Sequence, residues 1–153
     1  MKLSVATIHN FRGIIDATLN LQNYALLVGA NNVGKSTIID CIRAFYEKDG
    51  FKYKKENDIP LKGANDQESW IELTFSLTDQ EHDSLKAEYQ TQVKQLRARK
   101  YFQINNKLHD GKTATGSILG YKSDTTLPNE PFYGAKNVQS DKFCLWKARV
   151  KRL

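Results

Sequence analysis

The sequence predicts an α/β fold, a mixed sheet with a helix packed on one face, and three observations predict it. Tyr24-Ala25-Leu26-Leu27-Val28 is an unbroken apolar run without alternation, the pattern of a strand buried on both faces of a parallel or mixed sheet. Thr37 to Tyr46 carries Ile38, Cys41, Ile42 and Phe45 at three- and four-residue spacing, the apolar stripe of a helix lying on a core. Between the two sits a glycine-bearing turn, Gly29 to Ser36, so that strand, turn and helix follow one another without a break.

The other elements follow in chain order. At the start Leu3, Val5 and Thr7 alternate with Lys2, Ser4, Ala6 and Ile8, which reads as a first strand. Asn10-Phe11-Arg12-Gly13 supplies turn chemistry, and Ile14 to Leu21 reads as a second strand. Asn23 opens the connection to the third, Tyr24 to Val28, and the helix after the glycine turn is expected to end near Glu47-Lys48-Asp49-Gly50, with Gly50 as a stop. Residues 51–69 read as a surface loop, lysine-rich and holding Pro60 and Gly63. Trp70 to Leu77 alternates cleanly, as a half-buried strand does.

Thr78-Asp79-Gln80-Glu81 is a capping box, and the helix it opens is expected to run to about Arg99, with Leu85, Tyr89, Val93 and Leu96 on one face. Asp79, Glu81 and Asp83 at its start, and Lys94, Arg97, Arg99 and Lys100 at its end, match a helix dipole. Tyr101 to Leu108 and Ile118 to Tyr121 read as strands joined about the hairpin signal Asp110-Gly111. Residues 123–153, with Pro128 and Pro131 and a basic, aromatic end, receive no element. One domain over residues 1–153 is expected.

Hydrophobic residues at 40% and charged residues at 26% describe a chain with a core rather than a disordered one. A net charge of +6 favours an anionic partner without separating nucleotide from nucleic acid. Cys41 and Cys144 form no Cys-x-x-Cys pair, so neither a disulfide framework nor a zinc site is expected, and Cys41 reads as a small core residue. No signal core opens the chain and no stretch is apolar enough to span a membrane, so a reduced, cytoplasmic setting is expected.

Gly29-Ala30-Asn31-Asn32-Val33-Gly34-Lys35-Ser36 spells the phosphate-binding pattern Gly-x-x-x-x-Gly-Lys-Ser/Thr in the strand–turn–helix context where it works. Backbone N–H groups of Asn32, Val33, Gly34 and Lys35, with the positive end of the following helix, form a cup for phosphate oxygens. Lys35 would reach the β- and γ-phosphates, and the Ser36 hydroxyl would ligate Mg²⁺. Asn32 stands where many such loops carry Gly, and Asn tolerates left-handed backbone. These residues predict binding of ATP or GTP without choosing between them.

Asn10-Phe11-Arg12-Gly13-Ile14, followed by Leu26 through Thr37, resembles the N-terminal half of the RecF/SMC-like branch of ABC ATPases. Within that branch the chain is most similar to the OLD (overcoming lysogenization defect) family of ATP-dependent endonucleases, which includes the Gabija-type antiphage nucleases. The likeness is specific over residues 1–46 and weaker to about residue 83. It implies a P-loop NTPase fold of the ABC/SMC-like head type, present as its incomplete N-terminal half, with ATP and Mg²⁺ as cofactors. It also implies a nucleotide-binding set of Gly29, Asn31, Asn32, Val33, Gly34, Lys35, Ser36, Thr37 and Arg12. In that set Asn31 is the polar residue of the Gly-x-Asn loop, and Arg12 approaches the nucleotide from the end of the first strand; the alternative for Arg12 is an exposed turn arginine. In the full protein two such heads, as a homodimer, would clamp ATP and couple it to a nuclease or a DNA-clamping arm.

Several elements of that family's chemistry are missing. No apolar strand ends in Asp-Glu to hold Mg²⁺ and polarise water; Trp70 to Leu77 offers only Glu72. No Leu-Ser-Gly-Gly-Gln-like signature and no Toprim acidic set occur, so the chain reads as the front of a larger protein and its catalytic residues stay unassigned. Gln80 reads as a helix-start residue before a nucleotide sensor, and Asp79, Glu81, His82 and Asp83 as helix-start acids before metal ligands. His9, His82 and His109 are scattered and suggest no hydrolytic triad. The basic residues after 86, with Phe143 and Trp146, suit either a phosphate-backbone track or a solvated face. The rival functions are a small P-loop kinase, for which no acceptor site is visible, and an SMC-like nucleotide-gated structural DNA-binding protein.

Overall fold

A computed structural model describes residues 1–21, 25–31, 33–47, 50–60, 66, 68–103 and 118–120. Five strands form one sheet: β1 (Lys2–Phe11), β2 (Ile14–Asn20), β3 (Ser69–Ser76), β4 (Gln95–Gln103) and β5 (Ile118–Gly120), in the order β2-β1-β3-β4-β5. The helices are α1 (Lys35–Tyr46), α2 (Lys55–Asp58) and α3 (Asp79–Asp83), with a 3-10 turn at Ala87–Tyr89.

Register decides which residues meet α1. Ala6 lies opposite Leu73, which lies opposite Ala98; Ile8 lies opposite Ile71, which lies opposite Lys100. These side chains make the face on which α1 lays Cys41, Ala44 and Phe45, all within 1% of full burial. Removing such aliphatic and aromatic groups from water stabilises the fold by roughly 1.5–3 kcal/mol each for the large ones. Ala6 and Ile8 share one side of the first strand, as its alternation predicts.

The opposite face is polar yet also covered. The alternation of β3 predicts a half-buried strand, but Glu72 and Thr74 are buried along with Ile71 and Leu73. The Glu72 carboxylate accepts from Arg97 Nε at 3.1 Å and Arg99 Nη2 at 2.9 Å, both on β4. The Arg99 guanidinium lies 3.7 Å from the centroid of the Trp70 ring. Charges are tolerated there because each has a counter-charge and hydrogen bonds to match.

Three sequence expectations are corrected. Residues 25–29 are not a strand: no described residue forms a ladder with them, and Leu26 and Val28 stand 86% and 79% exposed. An apolar run becomes a strand only where neighbouring backbones take its N–H and C=O groups. For the same reason every pairing among the described strands is antiparallel; the parallel partner implied by that run is not among them. The helix predicted to reach Arg99 stops at Asp83, and the chain enters β4 at Gln95. Leu85, Tyr89, Val93 and Leu96 match a helical stripe, but Val93 is 70% exposed, and pairing with β3 overrides that spacing. Of the bases read as a helix C-terminus, Arg97 and Arg99 instead share one face of β4 and Lys100 lies on the other.

Helix α1 closes at Glu47, within the expected run Glu47 to Gly50, where its backbone adopts the left-handed conformation (φ 50°) and donates to Arg43 O. The third correction concerns a loop. Residues 51–60 are not merely a surface loop: they contain α2, and Asp58 is buried at 3% exposure. The strand and hairpin expectations over 104–117 and the segment 123–153 lie outside the described residues, whereas Ile118–Gly120 does form β5.

Candidate phosphate-binding site

Helix α1 starts on Gly34, whose φ of 92° and ψ of 6° place it in the left-handed region that a Cβ would strain. That turn leaves the helix with no side-chain cap and no acid in its first turn. The first intrahelical bond runs from Ile38 N–H to Gly34 O at 3.1 Å. No described residue accepts from the backbone N–H groups of Gly34, Lys35, Ser36 or Thr37, which are the orphan donors of a helix N-terminus. Four such donors at the positive end of a helix twelve residues long are groups that could receive an anionic oxygen.

The preceding loop turns back on itself. A Cβ on Gly29 would stand 2.9 Å from Val33 Cγ2, so a larger residue there would have to displace the Val33 side chain. Lys35 Nζ donates to Gly29 O at 2.7 Å and Ala30 O at 2.5 Å, which holds the ammonium at the loop. Ser36 is exposed on the first turn of α1, Thr37 is half-buried beside it, and Asn31 and Val33 are exposed. Asn32 lies outside the described residues. Gly29, Asn31, Val33, Gly34, Lys35, Ser36 and Thr37 are therefore gathered at one helix end, with donors suited to a di- or triphosphate and a hydroxyl suited to Mg²⁺.

Arg12 is placed elsewhere on the same helix. It occupies the tight turn between β1 and β2 with φ 51°, and its Nη1 donates to Asp40 Oδ2 at 2.7 Å. Asp40 lies five residues beyond Lys35, about 7.5 Å along the axis. Arg12 Nε donates to Asp58 Oδ1 at 2.7 Å, and its backbone N–H donates to Asp58 O at 2.6 Å. Burial opposes the guanidinium charge, but the bonds to Asp58 and Asp40 outweigh it and raise its pKa. Arg43 Nη1 also donates to Asp40, at 3.1 Å, and Phe51 lies beneath both guanidiniums, 5.7 Å from Arg12 and 4.8 Å from Arg43. Arg12 thus ties the β1–β2 turn, the flank of α1 and the α2 segment together.

Cys41, on the buried side of α1, has its thiol pKa pushed well up, by burial first and then by the charge of Asp58. At α3, Thr78 and Glu81 complete the capping box: Thr78 Oγ1 accepts from Glu81 N–H at 3.4 Å, and Glu81 Oε2 accepts from Thr78 N–H at 3.1 Å. Gln80 is exposed there. Asp79 pairs with Lys94 at 2.7 Å, and His82 Nε2 lies 3.0 Å from Thr91 O. Among the described residues no group of three or more His, Cys, Asp or Glu is arranged to hold a metal ion.

Sequence reasoning missed three residues around the site: Asp40 and Asp58, which hold Arg12, and Lys100, which reaches the far end of α1. Asp40 carries a faint signal as an acid on the helix flank; Asp58 lies hidden in a lysine-rich stretch, and Lys100 among supposed helix-end bases.

A mixed α/β fold with a helix that begins on a left-handed glycine beside a lysine fits the P-loop NTPase class. Within that class the chain belongs to the AAA ATPase domain family, whose model matches residues 1–149. It is 27% identical over 124 residues to endonuclease GajA of Bacillus cereus (strain VD045), an alignment covering 78% of this chain and 21% of that protein. The chain therefore spans about a fifth of the length of that curated relative. Its fold is similar to that of a chain solved in a study of ATP-driven dimerization and DNA-stimulated activation of SMC ATPases. The TM-score is 0.50 at 16% identity, over 80% of this chain and 72% of that one. The α/β fold and the likeness to an SMC-type head agree with the sequence resemblance. Among the described residues no helix is long and apolar enough to cross a membrane.

Proposed function

We propose that this chain binds ATP with Mg²⁺ and is the nucleotide-holding, N-terminal part of an ATPase head coupled to DNA processing. The observation that carries this reading is the open N-terminus of α1, where Gly34 sets the turn, the first amides lack described acceptors and Lys35 stands at the loop. Gly29, Asn31, Asn32, Val33, Gly34, Lys35 and Thr37 would surround the phosphates, and Ser36 would hold Mg²⁺. The metal supplies charge that screens the β- and γ-phosphates; the chain's own residues bind and orient them. Arg12, in the turn that ends β1 and braced by Asp40, would approach the nucleotide from the end of that strand.

The likeness to endonuclease GajA supports DNA cleavage as the activity to which ATP is coupled in the whole protein. The ATP-driven dimerization of the SMC ATPases, whose fold this chain shares, supports pairing of two heads around nucleotide, hence a homodimer. ATP is preferred over GTP on family likeness, and a cytoplasmic setting fits a DNA-acting machine. Residues 1–153 would form one partial domain, binding ATP–Mg²⁺ while turning it over slowly and leaving DNA uncut. Titration calorimetry tests this: ATP–Mg²⁺ should give a saturating heat with the chain and none with Lys35→Ala. Equal heats from the two would refute it.

A further inference from the structure

We propose that Lys100 is a positioning residue for the phosphate site: from β4 it fixes where α1 stands along its own axis, and so where the amide cup lies relative to the sheet. This rests on the ATP-binding reading above and names a residue that acts on that site from the opposite end of the helix.

Lys100 projects from β4 onto the α1 face, with its backbone held on both sides by pairing with Ile71 and Ile118. Its side chain is 5% exposed. Nζ donates to Ala44 O at 3.0 Å, to Phe45 O at 3.1 Å and to Glu47 Oε1 at 2.9 Å. An ammonium has three protons, and all three have acceptors here. Two of those acceptors are last-turn carbonyls of α1, and the cation sits at the negative end of the helix dipole. The third is the carboxylate of the residue whose left-handed backbone ends the helix.

The deepest apolar anchorage of α1 lies in the same half, while the Arg12–Asp40 ion pair and the partly buried Ile38 hold its flank nearer the start. Cys41, Ala44 and Phe45 are buried, whereas residues 35–40 are half-buried or exposed. Apolar burial is non-directional and resists sliding along the axis weakly. Hydrogen bonds from a strand-fixed ammonium resist it strongly. A helix of twelve residues is a stiff rod of about 18 Å, so displacement at Phe45 carries undiminished to Ser36. Phosphate recognition by converging amides is lost with misplacements of about 1 Å.

The test measures binding of ATP–Mg²⁺ and of inorganic tripolyphosphate by calorimetry on the whole protein, for wild type, Lys100→Met and Phe75→Leu. Phe75, 2% exposed in the core, is the control for general destabilisation. Lys100→Met should weaken both ligands by about tenfold and by the same factor, because the fault lies under the phosphates; Phe75→Leu should stay within about twofold. Should Lys100→Met fail to fold, Lys100→Gln, which keeps a donor, decides on the same terms with a loss of about threefold. Lys100 variants that bind like wild type, or that lose no more than Phe75→Leu, overturn the inference. Wild type that binds neither ligand overturns the ATP reading and this inference with it, whereas wild-type binding beside unimpaired Lys100 variants overturns this inference alone.

Discussion

Two helices of this chain begin in opposite ways. Helix α3 satisfies its own first turn: Thr78 and Glu81 exchange hydrogen bonds, and Asp79 and Glu81 place negative charge on the positive end of the dipole. Helix α1 begins on a glycine with no side-chain cap and no acid in its first turn. A carboxylate is an internal anion, so α3 has its ligand built in, while α1 reserves the same place for one from outside. The difference teaches where to look for function: a longer helix left uncapped beside a lysine keeps its positive end open to an anion, and a capped one has that end filled. At its other end α1 is as fully satisfied as α3 is at its start, with Lys100 on two carbonyls and Glu47 closing onto Arg43.

The comparison breaks most readily at Lys35. Lys35→Ala should weaken ATP–Mg²⁺ binding by at least about 100-fold, or about 2.7 kcal/mol. Stability should hardly change, because the ammonium bonds only to loop carbonyls at the surface. Calorimetry paired with thermal melts reads both; a large fall in Tm would mean that the lysine is scaffold after all. Thr37→Glu converts α1 to the α3 pattern by putting a carboxylate at the third helical position. It should raise the stability of the nucleotide-free chain by about 0.5–1 kcal/mol and weaken ATP by roughly tenfold. A variant that binds ATP as tightly as wild type would show that this helix end does not receive the phosphates.

How much of this contrast is legible in the sequence differs between site and fold. The glycine–lysine–serine spacing identifies the loop because each residue type is demanded by backbone geometry or charge: Gly34 is indeed left-handed, and Thr78 with Glu81 does cap α3. β1, β2 and β3 are readable from period-two alternation, which local sequence carries. The strand expected at 24–28 and the long helix expected after 79 fail for one shared reason, since a ladder depends on partners distant in sequence. Gln95 to Gln103 holds a strand because β3 lies beside it, and nothing within that stretch says so. Arg12 stands out in the sequence, but its bonds to Asp40 and Asp58 bring together residues 28 and 46 positions away, invisible until the chain is folded.

The remaining contrasts act on α3 and should leave the nucleotide untouched. Thr78→Ala removes a cap and should cost about 1 kcal/mol of stability, read by urea unfolding, with ATP affinity unchanged. A parallel loss of affinity would mean that α3 belongs to the site. Glu81→Gln probes the charge alone, since glutamine can keep the capping hydrogen bond. The Glu81 pKa is lowered, first by the bond from the N-terminal ammonium and, against the opposing effect of burial, by the backbone N–H of Thr78. A carboxyl whose folded pKa lies below its unfolded value contributes stability that is complete above the unfolded pKa and vanishes as pH falls through the folded one. At pH ~7 the variant should therefore be less stable than wild type by roughly 0.5–1 kcal/mol, and the two curves should converge once pH has fallen through the lowered Glu81 pKa. Curves that stay parallel down to that pH would mean that the carboxylate charge contributes nothing at this end. The contrast with α1 would then rest on hydrogen bonds alone.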